Sequence, residues 1–229
     1  MRFQPDDQRP RAVRRWGGRK QLHGANRLGA NSLLSACVDG WFTLPLAIPN
    51  YLAGLAGKPL LEVDAPEAAE ALDDVRGRIN HLVNNPGHTR PATFHRRLGE
   101  ILYAGCGVSR SEEGLKRALE QVQELREEFW RDVRVAGTDD RLNQELEKAG
   151  RVADFLELAE LMITDALDRQ ESCGAHFREE YALPDGEAKR DDERWCNVSA
   201  WETNPAGQHR RYQEPLRFES VKLQVRNYR

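Results

Sequence analysis

The residues best suited to chemistry lie close together, in the stretch His23–Leu34, which reads HGANRLGANSLL. Its first part is a glycine- and asparagine-rich loop that contains Arg27, and an apolar helix follows that Asn31 or Ser32 would cap. The planar fork of an arginine side chain matches a carboxylate, so Arg27 suits the binding of an acidic ligand. Residue type alone leaves a second interpretation open, in which Arg27 pairs with a neighbouring carboxylate of the protein.

The other histidines and the cysteines form weaker patterns. The four cysteines are widely separated and include no CxxC pair, which argues against a zinc knuckle or an iron–sulfur cluster and predicts reduced thiols of an intracellular protein. Cys173, His176 and Cys196 lack a fourth zinc ligand. Three further histidines recur every seven residues but fall across a Pro–Gly break: His81, His88 and His95. We therefore predict no metal site.

Composition and charge exclude several classes of protein. The chain has 229 residues, 39% hydrophobic and 31% charged, which suffices for one large domain or two small ones. Its mean hydropathy is −0.72, and no apolar run reaches the roughly 18 residues of a membrane-spanning helix, which excludes an integral membrane protein. Residues 1–20 carry seven basic and two acidic side chains, a net charge of +5 that leaves −8 for the rest. Only this N-terminal segment could bind nucleic acid.

Apolar residues that recur every three and four positions predict a mainly helical fold. The first helix, from Leu33 to Leu44, is apolar on nearly all sides, which predicts burial in a larger body, and Pro45 and Pro49 are expected to interrupt the run. Further helices are predicted over residues 65–83, 91–103 and 140–169, and from the Ser111 cap through an apolar stripe that ends at Phe129. The two longest are expected to pair antiparallel and to form a small bundle with the helix before them.

The apolar stripes of these helices give a predicted core. Ser111 would cap the helix after it, and Glu112 and Glu113 suit its positive end. The inward positions of the last helix are Leu142, Leu146, Ala149, Ala153, Leu156, Ala159, Ile163 and Leu167, and those of the 65–83 helix are Leu72, Val75, Ile79 and Leu82. After Glu171 the pattern loosens, and a tail with the composition of a strand, Leu216–Tyr228, ends the chain.

Four stretches of the chain resemble one protein family. HGANRLGANSLL resembles the HGANRLGGNSLL segment of the flavoprotein subunit of succinate dehydrogenase and fumarate reductase. The similarity continues, in family order, in LGEILYAGCGVSRSEEGLKRALEQVQELRE, in ADFLELAELMITDALDRQESCGAHFREEY and in the final EPLRFESVKLQVRNYR. The resemblance therefore covers about residues 22–229.

The resemblance implies a fold and a domain order. The fold is mainly α: the C-terminal edge of an FAD-binding domain, then an antiparallel helical bundle domain and an extended tail. Residues 1–21 match nothing in the family and read as disordered. Residues 22–60 would be the last part of the FAD-binding domain, residues 61–92 a connecting helix and linker, and residues 93–229 the C-terminal helical domain with its tail.

The resemblance also implies site residues and partners. Arg27 matches the arginine that clamps the substrate, Ser32 and Leu33 match the positions where a helix N-terminus approaches FAD, and His23 could line the site. The family oxidises succinate to fumarate, or the reverse, and passes electrons to an iron–sulfur subunit and, through it, to membrane anchor subunits. This implies a cytoplasmic protein held at the inner face of the membrane.

The chain also departs from the family pattern. Where relatives carry a strand and an AAGE-like turn that binds the FAD ribose, it has RAVRRWGGRKQL, and it contains no GxGxxG loop, no matching flavin-tethering histidine and no matching proton-delivering arginine. We therefore assign no catalytic acid or base and expect one edge of an active site. A non-catalytic helical interaction module, or the relic of a broken gene without flavin, is the alternative.

Deleting residues 1–21 should leave the thermal midpoint of the chain unchanged within error. The segment has no apolar face and so is expected to add nothing to a packed core. Thermal unfolding followed by circular dichroism, on the full and shortened chains, measures the difference. A drop of several degrees would show that the segment packs.

Overall fold

The computed structural model describes residues 31–58, 62, 64–138, 141–204, 208–218 and 222–223. The chain divides into two compact units, residues 1–56 and 57–229. The predicted disordered segment 1–21 lies outside the described residues. The predicted domain limits stay predictions.

The described part of the first unit is one long helical stretch. Helix α1 covers Asn31–Val38, a π-helical turn covers Asp39–Thr43, and helix α2 covers Leu44–Ala53. Asn31 is thus already helical, and the expected interruption by the two prolines is wrong. The backbone N–H of Leu44 bonds to Asp39 O, five residues back, so α2 starts in a new register with Pro45 in its first turn, where no N–H is needed.

Four longer helices begin the second unit. They are α3 (Pro66–Asn84), α4 (Pro91–Gly105), α5 (Glu112–Asp132) and α6 (Gln144–Asp168). The predicted limits of α3 and α4 are confirmed to within two residues, and α5 extends three residues past Phe129, the last position of its predicted stripe. The Ser111 cap is also confirmed, since its Oγ accepts from the Gly114 N–H at 3.1 Å.

Helix α6 begins later than predicted. The side chain of Asn143 caps it, accepting from the N–H groups of Glu145 and Leu146 at 3.0 and 3.1 Å. Leu142 therefore lies before the helix and is 96% exposed, so its predicted core position is wrong. The remaining inward positions of α6 are confirmed as buried or partly buried.

Helices α4, α5 and α6 enclose the hydrophobic core. Phe94 of α4 meets Phe129 of α5 edge to face, with 5.2 Å between ring centroids. Small residues bring α4 and α5 close together, because a Cβ on Gly105 would lie 2.5 Å from the Cβ of Ala118. The other fully buried side chains include Leu115, Val122, Leu125, Ala149, Leu156 and Ile163.

Among the described contacts, helix α3 packs through its C-terminal half. Leu82 is buried, whereas Leu72 and Val75, from the same predicted stripe, are 45% and 53% exposed. The contact of α3 with α6 includes an ion pair between Arg78 and Asp154 at 3.3 Å. The predicted inward stripe of α3 is therefore wrong over its first half.

Strands follow the bundle. The two-residue strands β1 (Ser109–Arg110) and β2 (Phe177–Arg178) pair in parallel, and a 3-10 turn, Glu179–Tyr181, comes after β2. A short helix, α7 (Asp192–Trp195), leads into an antiparallel hairpin of β3 (Asn197–Thr203) and β4 (His209–Pro215).

Side chains join this hairpin to α6. Trp201 Nε1 donates to Asp165 at 2.7 Å, and Arg211 pairs with Asp168. Sequence reasoning placed the terminal strand later, at 216–228, but residues 216–218 and 222–223 have no regular structure, and the others of that tail lie outside the described part. Of the helices that the structure describes, none combines the length and the apolar character that spanning a membrane requires.

Candidate functional site

The predicted site residues all lie within eight residues of Asn31, the start of α1, in the sequence. Arg27 and His23 lie outside the described residues, so their predicted roles stay predictions. Ser32 is part of the α1 backbone, and Leu33, the next residue, is 68% exposed. The described part of the predicted site is therefore a helix N-terminus with an open apolar surface behind it.

The start of α1 can attract negative charge. The first four N–H groups of an α-helix have no partner within the helix, and the aligned peptide dipoles place about half a positive charge at that end. Within α1 these groups belong to residues 31–34, so the Ser32 and Leu33 N–H groups are among them. The helix has no acidic residue in its first turn. The arrangement suits an anionic ligand group, or a ring that gains negative charge on reduction.

The apolar surface of α1, the π-helical turn and α2 is open, contrary to the burial that the sequence predicts. Its large side chains are between 41% and 78% exposed: Leu33, Leu34, Val38, Trp41, Phe42, Leu46, Ile48, Tyr51 and Leu52. An exposed apolar patch of this kind is typical of a surface that another domain or polypeptide chain covers. The burial predicted for this helix is therefore wrong for the described residues, none of which covers it.

A second group of polar residues, which sequence reasoning missed, is buried at the end of α6. Arg178 is 1% exposed and donates from Nη1 to the last-turn carbonyls of Ala166 and Leu167 at 2.9 and 3.3 Å. Its Nε donates to Glu180 Oε2 at 3.1 Å. Ser172, fully buried, donates to Arg178 O and accepts from Arg178 N.

Glu180 links this group to the next helix. Its Oε1 accepts from the backbone N–H of Glu112, the first residue of α5, at 2.6 Å. Burial pushes the pKa of Glu180 upward, but the hydrogen bonds from the Glu112 N–H and from Arg178 outweigh it, so the pKa lies below its ordinary value. An ionised Glu180 at the start of α5 and a cationic Arg178 at the end of α6 each suit the helix dipole that they face.

The comparison with known families decides the identity of the chain. The profile of the family described as fumarate reductase flavoprotein C-term matches residues 95–228. The chain belongs to this flavoprotein family. The resemblance drawn from the sequence motifs is confirmed, and so is the mainly helical fold of a flavoprotein C-terminal region.

The curated relatives are much longer than this chain. The fumarate reductase flavoprotein subunit of Proteus vulgaris is 32% identical over 206 residues, which is 88% of this chain and 31% of the relative. The succinate dehydrogenase flavoprotein subunit of Bacillus subtilis is 30% identical, over 78% of this chain and 29% of its own length. The flavoprotein chain thus spans about a third of the length of the curated relatives that it matches.

Solved structures support the same family assignment. The Escherichia coli quinol fumarate reductase FrdA chain, in an E245Q mutant, superposes with a TM-score of 0.71 at 31% identity, over 88% of this chain and 32% of FrdA. A chain of the Mycobacterium smegmatis Sdh1 complex superposes with a TM-score of 0.66 at 25% identity, over 85% of this chain and 32% of its own.

The flavoprotein chain uses His176 as a structural group. Its Nδ1 accepts from Arg110 Nη1 at 2.9 Å, and its Nε2 lies 2.9 Å from Arg169 O, which fits a neutral ring with the proton on Nε2. Burial, followed by the nearby arginines, lowers the pKa of His176, although the hydrogen bond to Arg169 O opposes the shift. Across the part of the chain that the structure describes, no three His, Cys, Asp or Glu side chains come together in a way that could hold a metal.

Proposed function

We propose that this chain forms one side of a flavin and dicarboxylate site that oxidises succinate to fumarate or catalyses the reverse reaction. The observation that carries the proposal is the position of α1, which starts at Asn31 within the HGANRLGANSLL motif. The N-terminal N–H groups of α1, which have no partner within the helix, and the exposed apolar side chains that follow them are what such a site needs from this part of the family fold.

The start of α1 fits FAD. When bound, FAD supplies the two-electron redox centre of the reaction. Ser32 and Leu33 would face it through their backbone N–H groups, which favour negative charge on the ring nearby. Because these donors belong to the backbone, they are fixed before the ligand arrives, and the exposed apolar side chains of the same helix would exclude water once covered.

Arg27 is the proposed substrate ligand. Its guanidinium would hold one carboxylate of a four-carbon dicarboxylate in a bidentate pair, which fixes the orientation of the substrate. His23, at the other end of the same loop, is proposed to line the site. We assign no proton transfer to residues of this chain.

The proposal includes partners. The solved relatives are a quinol fumarate reductase and an Sdh1 complex, which supports transfer of electrons to an iron–sulfur subunit and, through it, to membrane anchor subunits. A flavoprotein in such an assembly would be cytoplasmic and peripheral at the inner face of the membrane.

The 229-residue chain by itself should bind FAD weakly or not at all and should show no succinate-dependent dye reduction. The sequence lacks a GxGxxG loop and an AAGE-like turn, so the donors for the FAD phosphates and ribose are absent from it. Absorbance at the flavin bands after desalting, together with a dye-reduction assay, measures both properties. A yellow protein that survives desalting would contradict this expectation.

Supplying the missing part tests the proposed function directly. The FAD-binding portion of the Escherichia coli fumarate reductase flavoprotein subunit, up to its HGANRL-like motif, is expressed with this chain, either separately or fused in front of Leu22. The proposal expects flavin retention and succinate-dependent dye reduction from the combination. Flavin retained without activity, in both arrangements, would contradict the substrate assignment.

A charge placed on the apolar surface of α1, the π-helical turn and α2 should weaken this assembly. Trp41 is 78% exposed, and burying a glutamate in its place leaves an unpaired charge in the contact. Trp41→Glu should therefore reduce flavin retention by the combined chains at least about tenfold, equivalent to about 1.4 kcal/mol. Gln121→Glu, an exposed position on α5, is the matched control and should change nothing. Equal losses for both variants would contradict the role of this face.

One observation favours a different function. The second unit, residues 57–229, has a hydrophobic core of its own, built from α4, α5 and α6. Such a unit could act as a non-catalytic interaction module. Flavin retention by the combined chains separates the two functions, because a module has no need of flavin.

A further inference from the structure

Two chain segments cross where α4 begins and α5 ends, and hydrogen bonds hold them together at the crossing. Thr89 and Val133 form a parallel bridge, and the N–H of Arg134 donates to Thr89 O at 2.8 Å. Asp132 accepts from Thr89 Oγ1 at 2.6 Å and from the His88 N–H at 3.0 Å. These hydrogen bonds, that from Thr89 first, hold the pKa of Asp132 below its ordinary value. The crossing is therefore fixed by several hydrogen bonds at once.

A close backbone approach adds to this rigidity. A Cβ on Gly87 would lie 2.2 Å from Asp132 O, so the two backbones touch at a point where only glycine fits. Asn85 Nδ2 donates to Val133 O at 2.9 Å from the same side. Neither segment can shift away from the other without breaking these contacts.

The crossing places two arginines side by side. In a parallel bridge the residues that follow the bridged pair are neighbours and point to the same face, and here these residues are Arg90 and Arg134. Both line one cavity of about 310 Å³. Both are exposed, and neither has a hydrogen bond or ion pair from its side chain to any residue that the structure describes.

The other polar groups of this cavity are already engaged. Glu145 Oε1 pairs with Lys148 Nζ at 2.8 Å, and His88 Nδ1 lies 3.2 Å from Asp132 Oδ1. Like charges directly opposite each other on paired strands are destabilising. Arg90 and Arg134, which line this cavity on a fixed backbone beside the engaged Glu145, therefore leave two positive charges without an ion-pair partner among the described residues.

We propose that Arg90 and Arg134 form a binding site for a small oxyanion that carries two charges, either a phosphate group or a dicarboxylate. Each guanidinium can donate two parallel hydrogen bonds to two oxygens of one ligand group, and the pair offsets both ligand charges. Because both arginines are exposed, binding is expected to be weak and sensitive to salt. The site is independent of the proposed flavin chemistry.

The experiment titrates the full chain with inorganic phosphate and, separately, with glutarate at constant ionic strength. Backbone amide shifts of Arg90 and Arg134 in ¹H–¹⁵N NMR spectra report binding. Arg134→Gln should raise the dissociation constant about fivefold or more, and Glu145→Gln should lower it, because it removes a negative group from the cavity wall. Arg96→Gln, an exposed arginine on the outer side of α4, is the matched control and should leave binding unchanged.

The two ligands distinguish the sources of the anion. A response to phosphate alone assigns the site to phosphate groups, and a response to glutarate assigns it to dicarboxylates; both support the proposal. No saturable response to either ligand overturns it. The same holds if Arg134→Gln and Arg96→Gln weaken binding equally, since that would reflect the general charge of the protein and not this cavity.

Discussion

Replacing Arg27 by alanine, in this chain fused behind the FAD-binding portion of a family relative, should lower kcat/KM for succinate about 30-fold or more. If Arg27 clamps a substrate carboxylate in a site closed to water, truncation leaves that carboxylate without its partner, a loss of roughly 2 to 5 kcal/mol. Each 1.4 kcal/mol or so corresponds to a factor of ten in kcat/KM. Steady-state dye reduction at several succinate concentrations measures the effect.

Two further measurements separate substrate binding from a structural role for Arg27. Arg27→Lys should restore only part of the activity, because a lysine ammonium cannot reproduce the bidentate fork. Flavin content should stay near normal, since the proposed flavin contacts of Ser32 and Leu33 are made by the backbone. Full activity of Arg27→Ala, or a parallel loss of flavin and activity, would instead support an ordinary ion pair within the loop.

The bundle could be predicted well because its signals are local. Ser111 caps α5 as expected from the residue type before an apolar repeat, and Phe129 lies fully buried at the end of that repeat. The same logic failed at Leu142, which fits the spacing of α6 but precedes its Asn143 cap. Spacing identifies a face, whereas the first hydrogen-bonded cap decides where the helix starts.

The candidate site could be predicted only through motifs. The all-round apolar character of the first helical stretch predicts burial, yet Leu33 and Trp41 are exposed within the described chain. A periodic pattern shows that a helix needs a covering surface and does not say which polypeptide supplies it. The match of HGANRLGANSLL to the family supplies that information.

The bridge between Thr89 and Val133 shows a different limit of prediction from sequence. Arg90 and Arg134 are far apart in sequence, and each alone reads as an ordinary solvated arginine. Their proximity follows from one long-range backbone bridge, which no local propensity predicts.

Arg178 is fully buried, although the composition of its segment predicts an exposed arginine. Its removal should have the largest effect on the stability of the chain. Sequence reasoning expected a loose, polar segment after Glu171, because charged residues are almost never fully buried unless paired. Here the chain turns back under the end of α6 and encloses the guanidinium, which bonds to Ala166 O, Leu167 O and Glu180. Its face also lies over the Tyr181 ring, 5.6 Å from the centroid.

Arg178→Ala should therefore lower the free energy of unfolding by about 3 kcal/mol or more. Hydrogen bonds to charged groups contribute about 1.5 to 3 kcal/mol each, and the loss here strands two helix-end carbonyls and opens a cavity. For a chain of this size, such a change lowers the thermal midpoint by roughly 6 to 12 °C. Circular dichroism of the full chain at 222 nm measures it.

Two variants control for this result. Arg178→Lys keeps the charge but cannot reach both carbonyls and Glu180 at once, so it should recover only part of the stability. Arg194→Ala removes an arginine that is 65% exposed and whose nearest carboxylate oxygen, on Asp191, is 3.9 Å away, so it should change stability by less than about 0.5 kcal/mol. If Arg178→Ala destabilised the chain no more than Arg194→Ala does, the hydrogen bonds of Arg178 would contribute nothing, and apolar packing of α4, α5 and α6 alone would hold the bundle together.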